Sequence, residues 1–533
     1  NMPQGICTDF AAFSIRAVTI PLYATSSEEQ VKYIVNDAQV RIMFVGEQQQ
    51  YNVAYAVMKQ CTTLQLLVIY DNKVKKNPAD NTSIYFDDFI KDKVTTERKN
   101  QLEALRKQLS FDDIANILYT SGTTGEPKGV MLHHSCYDAQ WGEHLSVLPQ
   151  LSLPNQVSMN FLPLTHVFER AWTFLCMEAG IVVCVSTNPH IITQSLLEVR
   201  PTMMCSVPRF WEKVYDGVQA KIAAMPKILK MMVRAALKVG HTYNIQYEMK
   251  GIKAPWWLEF RYNIVNKTIF NMLKKAVGIE NGVLFPTAGA AIPPTVEEFI
   301  HSCGIPMVAG YGLTESTATV SCDRRPASIG SIGRPLPGVQ VKIGEENEIL
   351  IKGASVTRGY YKKEQANQEA FDADGFFHTG DAGYLKDGEL YITDRTKDLF
   401  KTSNGKYVAP QVLESKLCVD KYIDQLAIIA DKRKFVSALI IPAYGEIKKY
   451  AETHHIAFAS MQELCDNPEI NQMILERINQ LQSHLAAYEQ VKRITLLPEP
   501  FSMEKGELTN TLKIKRPVLS RNYAVQIAKM YEE

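Results

Sequence analysis

The chain has 533 residues, a length that predicts roughly three or four structural units and excludes a small scaffold held by disulfides or metal. Apolar residues make up 46% and charged residues 22%, and the net charge of +1 excludes a strongly basic or acidic protein, so nucleic acid is not an expected partner. The ten cysteines form no CxxC pair, which favours a reducing, cytoplasmic location and no structural zinc.

The beginning of the chain lacks the pattern of a signal peptide, because Asp9 and Arg16 interrupt its first apolar stretch. The most apolar run, residues 171–185, carries Glu178 in its middle and falls short of the roughly eighteen apolar residues that a membrane span needs. We therefore expect a protein that is soluble or bound to the membrane surface.

Short apolar runs alternate with helical patterns up to about residue 390, which predicts α/β layers with largely parallel strands. The runs are residues 114–119, 180–185, 203–207, 282–286 and 305–310. Several end in Gly, Ser and Thr. Because ligands of open α/β sheets bind beyond the carboxyl ends of the strands, we expect the chemistry in those loops.

The segment YTSGTTGEPKGVML, residues 119–132, has the composition of a phosphate-binding loop. Its glycines let backbone N–H groups approach an anion, its hydroxyls donate further hydrogen bonds, and Lys128 adds a positive charge. It is not a P-loop, because Lys128 is followed by Gly129 instead of Ser or Thr. The bland alternative is a surface turn. The predicted contact residues in the loop are Ser121, Gly122, Thr123, Thr124 and Gly125.

Two alternating segments flank Asp387 and Gly388, a pair that favours a tight hairpin turn. Beyond the hairpin, residues 425–430 and 435–442 have the pattern of strands, and apolar residues between Ile470 and Leu485 recur at helical spacing. We expect a second, smaller α+β domain there.

The segment at residues 119–132 resembles the phosphate loop of adenylate-forming enzymes, the family of acyl-CoA synthetases, peptide-synthetase adenylation domains and beetle luciferases. Four further segments match in the same order over nearly the whole chain. The resemblance implies an α/β fold with a large N-terminal domain of layered α/β subdomains, residues 1–394. A small mobile α+β C-terminal domain, residues 395–533, would follow it.

Two of these segments imply a nucleotide site. GYGLTES resembles the segment for adenine and metal, in which Tyr311 would stack on the base, Thr314 would meet the α-phosphate and Glu315 would reach Mg²⁺. HTGDAGYL resembles the ribose segment, which makes Asp381 the acceptor of hydrogen bonds from the sugar hydroxyls.

The other two segments imply moving parts. DRTKDLFKTSNGKYVAP resembles the segment that joins the domains; Arg395 would contact the nucleotide, Lys397 would be the hinge and Gly405 would face coenzyme A. GELTNTLKIKRP resembles the C-terminal segment whose lysine enters the site for adenylation. We assign that lysine to Lys513, with Lys515 as the nearest competitor.

LPLTHVFER and VPRFWEK resemble segments of the long-chain fatty acyl branch, which would make His166 a wall of the acyl and nucleotide site. For His166 alone, a packed core histidine is the simpler interpretation. One departure from the family is Ala288, which stands where the first Gly of a Gly-Gly-Ala pattern is usual. The adenine-pocket residues implied by that pattern are Gly289, Ala290 and Ala291.

The resemblance implies that ATP and Mg²⁺ activate a long-chain fatty acid as its adenylate, and that coenzyme A then takes the acyl group. The catalytic residues would be Lys513, Thr314, Glu315 and His166, with Glu315 and Thr124 at the metal. One alternative is a fatty acyl-AMP ligase that loads a carrier protein. An alternative of another class is a nucleotide- or acyl-binding protein without turnover. The sequence sets neither acyl chain length nor oligomeric state.

Two features concern segments outside the motifs. The opening residues resemble a point inside the large domain, so we expect the native N-terminus to be absent.

Residues 221–240 carry five Lys or Arg, no acid and many apolar side chains, and residues 256–278 could extend that surface. Peripheral membrane contact is one hypothesis for this region. Core-packed helices with basic edges are the favoured alternative.

Overall fold

The computed structural model describes residues 1–92, 94–120, 127–188, 191–323, 327–395, 400–403, 407–483, 485–509 and 513–532. It has the expected architecture of a large α/β part followed by a smaller part. The large part begins with a parallel sheet of order β1-β2-β3, covered by helices. These strands are β1 Ile42–Val45, β2 Leu66–Ile69 and β3 Ser83–Tyr85. The helices of this region are α1 Pro3–Ser14, α2 Glu28–Asp37, α3 Gln48–Met58, α4 Phe86–Phe89 and α5 Thr96–Arg106.

The next two strands form an antiparallel pair, β4 Ile114–Thr120 and β5 Lys128–His133. The expectation of largely parallel strands is therefore wrong here. Residues 121–127 are too few for the crossover of about a dozen residues that a parallel pair needs, so the chain returns beside the strand it has just left. Helix α6, His134–Val147, follows.

A run of parallel strands forms the centre of the large part. Strands β6 Val157–Asn160 and β7 Val182–Val185 are parallel, as are β8 Phe285–Thr287 and β9 Met307–Tyr311. Within residues 203–207, predicted as a strand, the structure has only parallel bridges, Met203 to Ser158 and Leu284, and Ser206 to Thr287. Those bridges join the two pairs, so their carboxyl ends lie along one edge. The short strands β10 Ser321–Cys322 and β11 Arg334–Pro335 continue the sheet beyond β9.

Helices surround this sheet and supply its core. They are α7 Val167–Glu178, α8 Ile192–Val199, α9 Pro208–Ala224, α10 Lys227–His241, α11 Trp256–Val265, α12 Asn271–Val277 and α13 Pro294–Ser302. The fully buried Trp211 of α9 shows how they are anchored. Its Nε1 donates to Ser206 Oγ at 2.9 Å and to Thr287 Oγ1 at 2.8 Å. The VPRFWEK segment thereby ties a helix to the ends of two neighbouring strands.

An antiparallel sheet of order β12-β13-β14-β15 completes the large part. Its strands are β12 Gln340–Ile343, β13 Glu348–Lys352, β14 Phe377–Lys386 and β15 Glu389–Arg395, with α14 Glu364–Ala370 between β13 and β14. Asp387 and Gly388 connect β14 and β15 with φ values of 53° and 78°. Positive φ at both positions is what a tight turn of this type requires, so the predicted hairpin is confirmed.

The smaller part has its own core, around β18 Ile423–Ile429, β19 Val436–Pro442 and β20 Val491–Leu496. Strand β19 lies between an antiparallel and a parallel neighbour. The short strands β16 Phe400–Lys401 and β17 Tyr407–Val408 precede them. The helices are α15 Pro410–Leu417, α16 Tyr444–Thr453, α17 Met461–Asp466, α18 Pro468–Leu481, α19 Arg516–Asn522 and α20 Ala524–Tyr531. The predicted strand pair and the helix from Ile470 are both present.

Candidate active site

The loops that follow the parallel strands hold most of the predicted site residues. His166 follows β6, Gly289 follows β8, and Tyr311 ends β9, after which the chain turns through Thr314 and Glu315. Because these strands are parallel, all of the loops leave the sheet at the same edge. The structure thus brings together residues that lie up to 149 positions apart in the sequence.

Tyr311 and Asp381 contact each other directly. The Tyr311 hydroxyl donates to Asp381 Oδ2 at 2.7 Å, and both side chains are buried. Asp381 lies in β14 and its backbone N–H donates to Thr379 Oγ1 at 3.1 Å. The two predicted nucleotide contacts, one aromatic and one carboxylate, therefore belong to one hydrogen-bonded unit that joins two sheets.

Glu315 accepts a hydrogen bond from a tyrosine that lies outside all of the sequence motifs. The Tyr360 hydroxyl donates to Glu315 Oε1 at 2.9 Å, and Lys128 Nζ lies 5.0 Å from the centroid of the Tyr360 ring. Burial, followed by the nearby Glu315 charge, raises the pKa of Tyr360, so the phenol stays a neutral donor. Tyr360 thus connects the lysine of the phosphate segment with the predicted metal ligand.

The turn that carries Thr314 and Glu315 has little freedom. A Cβ on Gly312 would lie 1.9 Å from the Ala318 carbonyl oxygen, so only glycine fits at that position. The backbone N–H of Thr357 donates to the Glu315 carbonyl at 2.6 Å, which attaches the turn to the segment preceding Tyr360. The backbone therefore fixes where these two side chains leave the chain.

The strands beside the phosphate segment are also anchored. The Tyr119 hydroxyl, near the end of β4, donates to the carboxylate of Asp37. The Tyr33 hydroxyl donates to the Pro127 carbonyl at 3.2 Å, just before β5. Tyr33 and Asp37 both belong to α2, so that helix supports the two strands that flank the phosphate segment.

His166 is half-buried and caps α7, since its Nδ1 accepts from the Phe168 N–H at 3.3 Å. Burial, with the charge of Lys513 as a second cause, lowers the pKa of His166 to about 4. A neutral imidazole is therefore expected at pH 7. The interaction also shows that Lys513 of the smaller part lies within electrostatic range of the strand edge.

Lys513 and Lys515 differ in their surroundings. Lys513 is exposed, and its backbone exchanges hydrogen bonds with Thr509 at 2.8 and 3.0 Å. Lys515 is half-buried and its backbone N–H donates to the Glu507 carbonyl at 2.8 Å, at the start of α19. Of these two lysines, only Lys513 affects the pKa of His166.

A buried carboxyl that the sequence patterns did not single out lies beneath the His166 loop. Glu169 is fully buried in α7, and its Oε2 accepts from the Leu162 N–H at 3.1 Å. Burial raises the pKa of Glu169 to about 8. The residue holds the first part of the loop that leads from β6 to His166.

The segment after β8 lies at the surface of the site. Gly289, with φ of 97°, and the two alanines after it are exposed. Ala288, the departure from the family pattern, lines a small, mainly apolar cavity in the large part. Other residues lining this cavity are Phe168, Trp172, Leu175, Val308 and Tyr311. The cavity therefore borders the Tyr311 end of the site.

Some predicted residues fall outside the part of the chain that the structure describes. They are Ser121, Gly122, Thr123, Thr124, Gly125, Lys397 and Gly405. Arg395 is described as the last residue of β15, where its backbone is the register partner of Asp381. The roles of Arg395 and of these seven residues stay predictions.

Sequence reasoning missed Tyr360 and Arg209. Tyr360 reaches the site because its backbone bridges to Val130 of β5, and no spacing rule links it to Glu315. Arg209 lies inside VPRFWEK, yet its ion pair with Asp424 of the smaller part, at 3.1 Å, depends on how the two parts are placed. Contacts between distant segments of this kind carry no local signal.

Two kinds of feature are absent from the residues that the structure describes. No helix among them is both long and apolar enough to cross a bilayer. They also contain no cluster of three or more His, Cys, Asp or Glu side chains suited to binding a metal ion. All ten cysteines are free thiols.

Two protein-family models match the chain. Residues 1–361 match the AMP-binding enzyme family, and residues 397–533 match the C-terminal domain of AMP-binding enzymes. The chain is 31% identical over 565 residues to peroxisomal long chain acyl-CoA synthetase 6 of Arabidopsis thaliana, covering 100% of this chain and 77% of that relative. It is 29% identical over 528 residues to the long-chain-fatty-acid--CoA ligase FadD15 of Mycobacterium tuberculosis, covering 98% of this chain and 86% of the relative.

Among solved structures, the chain resembles the A domain of a carboxylic acid reductase from Segniliparus rugosus, solved in complex with AMP and a co-purified carboxylic acid. The TM-score is 0.72 at 19% identity, over 100% of this chain and 81% of that one, a likeness that concerns the fold alone. With one family match spanning well over half of its residues, the chain belongs to the AMP-binding enzyme family.

Proposed function

We propose that this protein uses ATP to activate long-chain fatty acids as acyl-adenylates and then transfers the acyl group to coenzyme A. The products are acyl-CoA, AMP and pyrophosphate. The observation that carries the proposal is the grouping of these residues at one edge of the parallel sheet. Tyr311 there donates a hydrogen bond to Asp381, and Tyr360 donates one to Glu315. Lys513 lies within electrostatic range of His166 at the same edge. The substrate class is supported by the names of the relatives, which are long-chain acyl-CoA synthetases and ligases.

Asp381 and Tyr311 are proposed to seat the nucleoside. A carboxylate has lone pairs for more than one donor, so Asp381 can accept from ribose hydroxyls while Tyr311 donates to its Oδ2. The exposed backbone at residues 289–291 would line the adenine. Arg395, the register partner of Asp381, would contact the nucleotide from the neighbouring strand.

Glu315 fits the requirements of Mg²⁺. This ion prefers oxygen ligands and is commonly held by one or two carboxylates together with substrate phosphates, so a cluster of protein ligands is not needed. Tyr360 fixes one oxygen of Glu315, and Lys128 lies on the same tyrosine. When bound there, the ion would neutralise negative charge on the phosphates. Thr124 and the rest of the phosphate segment would donate hydrogen bonds to the same groups.

Lys513 is proposed to act in the first half-reaction, in which the fatty acid carboxylate attacks the α-phosphorus and pyrophosphate leaves. Two anions must approach each other in that step, and a lysine between them stabilises the charge that develops. Thr314 would hold the α-phosphate. His166, neutral because its pKa is low, would border the reacting groups without adding a second positive charge.

In the second half-reaction the coenzyme A sulfur attacks the acyl carbon and AMP leaves. We propose that the smaller domain, residues 395–533, turns about Lys397 relative to residues 1–394, which removes Lys513 and brings the Gly405 region to the thiol. Domain rotation about a short hinge is a well-attested way to exchange catalytic groups. The ion pair of Arg209 with Asp424 would be one of the contacts that change.

The proposal is tested with purified protein, ATP, Mg²⁺ and a panel of carboxylic acids from acetate to long-chain fatty acids, with pyrophosphate release as the readout. Each buried methylene contributes about 0.8 kcal/mol at most, so kcat/KM should rise steeply with chain length. Acetate or an aromatic acid as the best substrate would contradict the substrate class.

Product analysis separates the alternatives. An acyl-CoA thioester formed with free coenzyme A supports the proposal. Acyl-adenylate that reacts only with a carrier protein would indicate a fatty acyl-AMP ligase. Nucleotide binding without pyrophosphate release from any acid would indicate a binding protein.

A further inference from the structure

Helix α10 exposes an apolar stripe to solvent. Ile228, Met231, Met232 and Ala235 recur with helical spacing and are all exposed, Ile228 and Met231 to 69% and 66%. The favoured expectation that these side chains are packed in the core is therefore wrong for this face. A different face of α10 carries the core contacts, through Val233 and Ala236.

Helix α11 exposes a second apolar stripe. Trp256, Trp257, Phe260 and Ile264 share one face, with Trp256 exposed to 79% and Phe260 to 62%. The opposite face is buried through Leu258 and Tyr262. The two helices pack against each other. They therefore place both stripes in one region, which we call the α10–α11 surface.

The core contacts of this region are close, so the exposed stripes do not come from loosely packed helices. A Cβ on Gly240 of α10 would lie 2.0 Å from the Ser302 carbonyl oxygen of α13. The rings of Tyr243 and Tyr262 stack with centroids 4.0 Å apart. Each helix has one face packed into the fold and another that no described residue covers. Uncovered apolar areas of this kind mark contact sites.

The charge of this region is strongly positive. Residues 227–278 contain ten Lys or Arg and two Glu, whereas the net charge of the whole chain is only +1. On α10 the cations Lys227, Lys230, Arg234 and Lys238 form a stripe beside the apolar one. Among the described residues, no ion pair involves these four side chains. The charge is therefore available to an anionic partner.

We propose that the α10–α11 surface binds the headgroup layer of a membrane that contains anionic lipids. Exposed tryptophans suit the boundary between headgroups and acyl chains, and a basic amphipathic helix lies in that plane. A second copy of this chain fits less well, because a symmetric dimer through this surface would place two strongly positive regions against each other. The inference rests on these helices and does not depend on the acyl substrate.

The experiment is cosedimentation of the whole protein with vesicles of phosphatidylcholine alone or with 30% phosphatidylglycerol. We expect the anionic vesicles to bind more strongly, and the variant with Lys227, Lys230, Arg234 and Lys238 all changed to Gln to lose about tenfold or more of that affinity. The matched control changes four exposed lysines elsewhere, Lys99, Lys107, Lys448 and Lys529, to Gln and should bind as the wild type does.

A second variant tests the apolar part. Trp256→Ser with Phe260→Ser should weaken binding to both kinds of vesicle, because it removes the inserted side chains and no charge. Acyl-CoA formation from fatty acid dispersed in detergent should be unchanged in all of these variants, which shows that they fold. Equal vesicle binding by the two quadruple variants, or none by the wild type, would overturn the proposal. So would sedimentation that reveals a dimer dissociated by the Trp256 and Phe260 changes.

Discussion

The strand edge and the segment that carries Lys513 position their side chains in different ways. At the edge, Asp381 and Glu315 each accept a hydrogen bond from a buried tyrosine, and Gly312 leaves the intervening turn no freedom. Lys513 instead is exposed, and its backbone exchanges two hydrogen bonds with Thr509. The edge side chains are thus held by contacts within the large part, whereas Lys513 is carried on the smaller part.

The largest effect is expected from Lys513→Ala. If the lysine acts only when the smaller part faces the edge, acyl-adenylate formation should fall by about a thousandfold or more, as for the loss of a group that stabilises transition-state charge. Thioester formation from supplied acyl-adenylate should stay near the wild-type rate. Both half-reactions are measured separately, by pyrophosphate release and by thioester formation.

Lys515→Ala is the control, since Lys515 lies two residues away at the start of α19. Equal loss of both half-reactions in Lys513→Ala, or a selective adenylation defect in Lys515→Ala, would contradict the distinction between the two lysines.

Glu169→Gln tests whether the buried carboxyl beneath the His166 loop makes the stability of the protein depend on pH. Unfolded Glu loses its proton near pH 4.5, whereas the native carboxyl keeps it to about pH 8, so the wild type should lose stability as pH rises between these values. Glutamine does not ionise, and the variant should avoid a loss on the order of 2–4 kcal/mol. Urea unfolding from pH 5 to pH 9 measures this difference, and parallel profiles for the two proteins would refute it.

A smaller effect is expected from Tyr360→Phe, which removes the hydroxyl that holds Glu315. Because a hydrogen bond to a charged group contributes about 1.5–3 kcal/mol, kcat should fall by about tenfold to a hundredfold, and more Mg²⁺ should be needed for half-maximal activity. Titration of adenylation activity with Mg²⁺ measures both. Tyr361→Phe, at the next residue, is the control, and an equal shift in that variant would remove the special role of Tyr360.

The smallest effect is expected from Arg209→Ala, which breaks the ion pair between the two parts. Both partners are about half exposed, and such pairs contribute no more than about 1 kcal/mol. The ratio of the two half-reaction rates should therefore change by a few-fold at most. A double-mutant cycle with Asp424→Ala isolates the pair, and a change of a hundredfold would mean that the contact locks the two parts together.

The sequence predicted those parts of the molecule that depend on neighbours along the chain. The hairpin at Asp387 and Gly388 follows from turn chemistry, and the strands of the smaller part follow from their apolar patterns. The parallel arrangement did not extend to β4 and β5, because the length of the connection decides their direction. An apolar run alone does not reveal which way its partner strand runs.

The site residues also divide into those that local sequence motifs identify and those whose positions depend on distant contacts. Tyr311, Glu315 and Asp381 could be named from motifs, yet the hydrogen bond between Tyr311 and Asp381 joins residues on two different sheets. The position of Tyr360 depends on a backbone bridge to Val130, a residue far away in the sequence. The exposed face of α10 was also beyond sequence reasoning, because apolar residues at helical spacing look alike whether a neighbour covers them or water does.

The register of β14 and β15 bears on how a bound nucleotide could keep its position during the proposed domain rotation. Asp381 faces Arg395 across the two strands, and the proposed hinge Lys397 lies two residues further along the chain. A body turning about an axis moves each point in proportion to its distance from that axis. On the proposed hinge, a ribose bound at Asp381 would lie close to the pivot in the stationary body, whereas Lys513 would travel with the turning one. The adenylate would then stay in place while the groups that face it are exchanged.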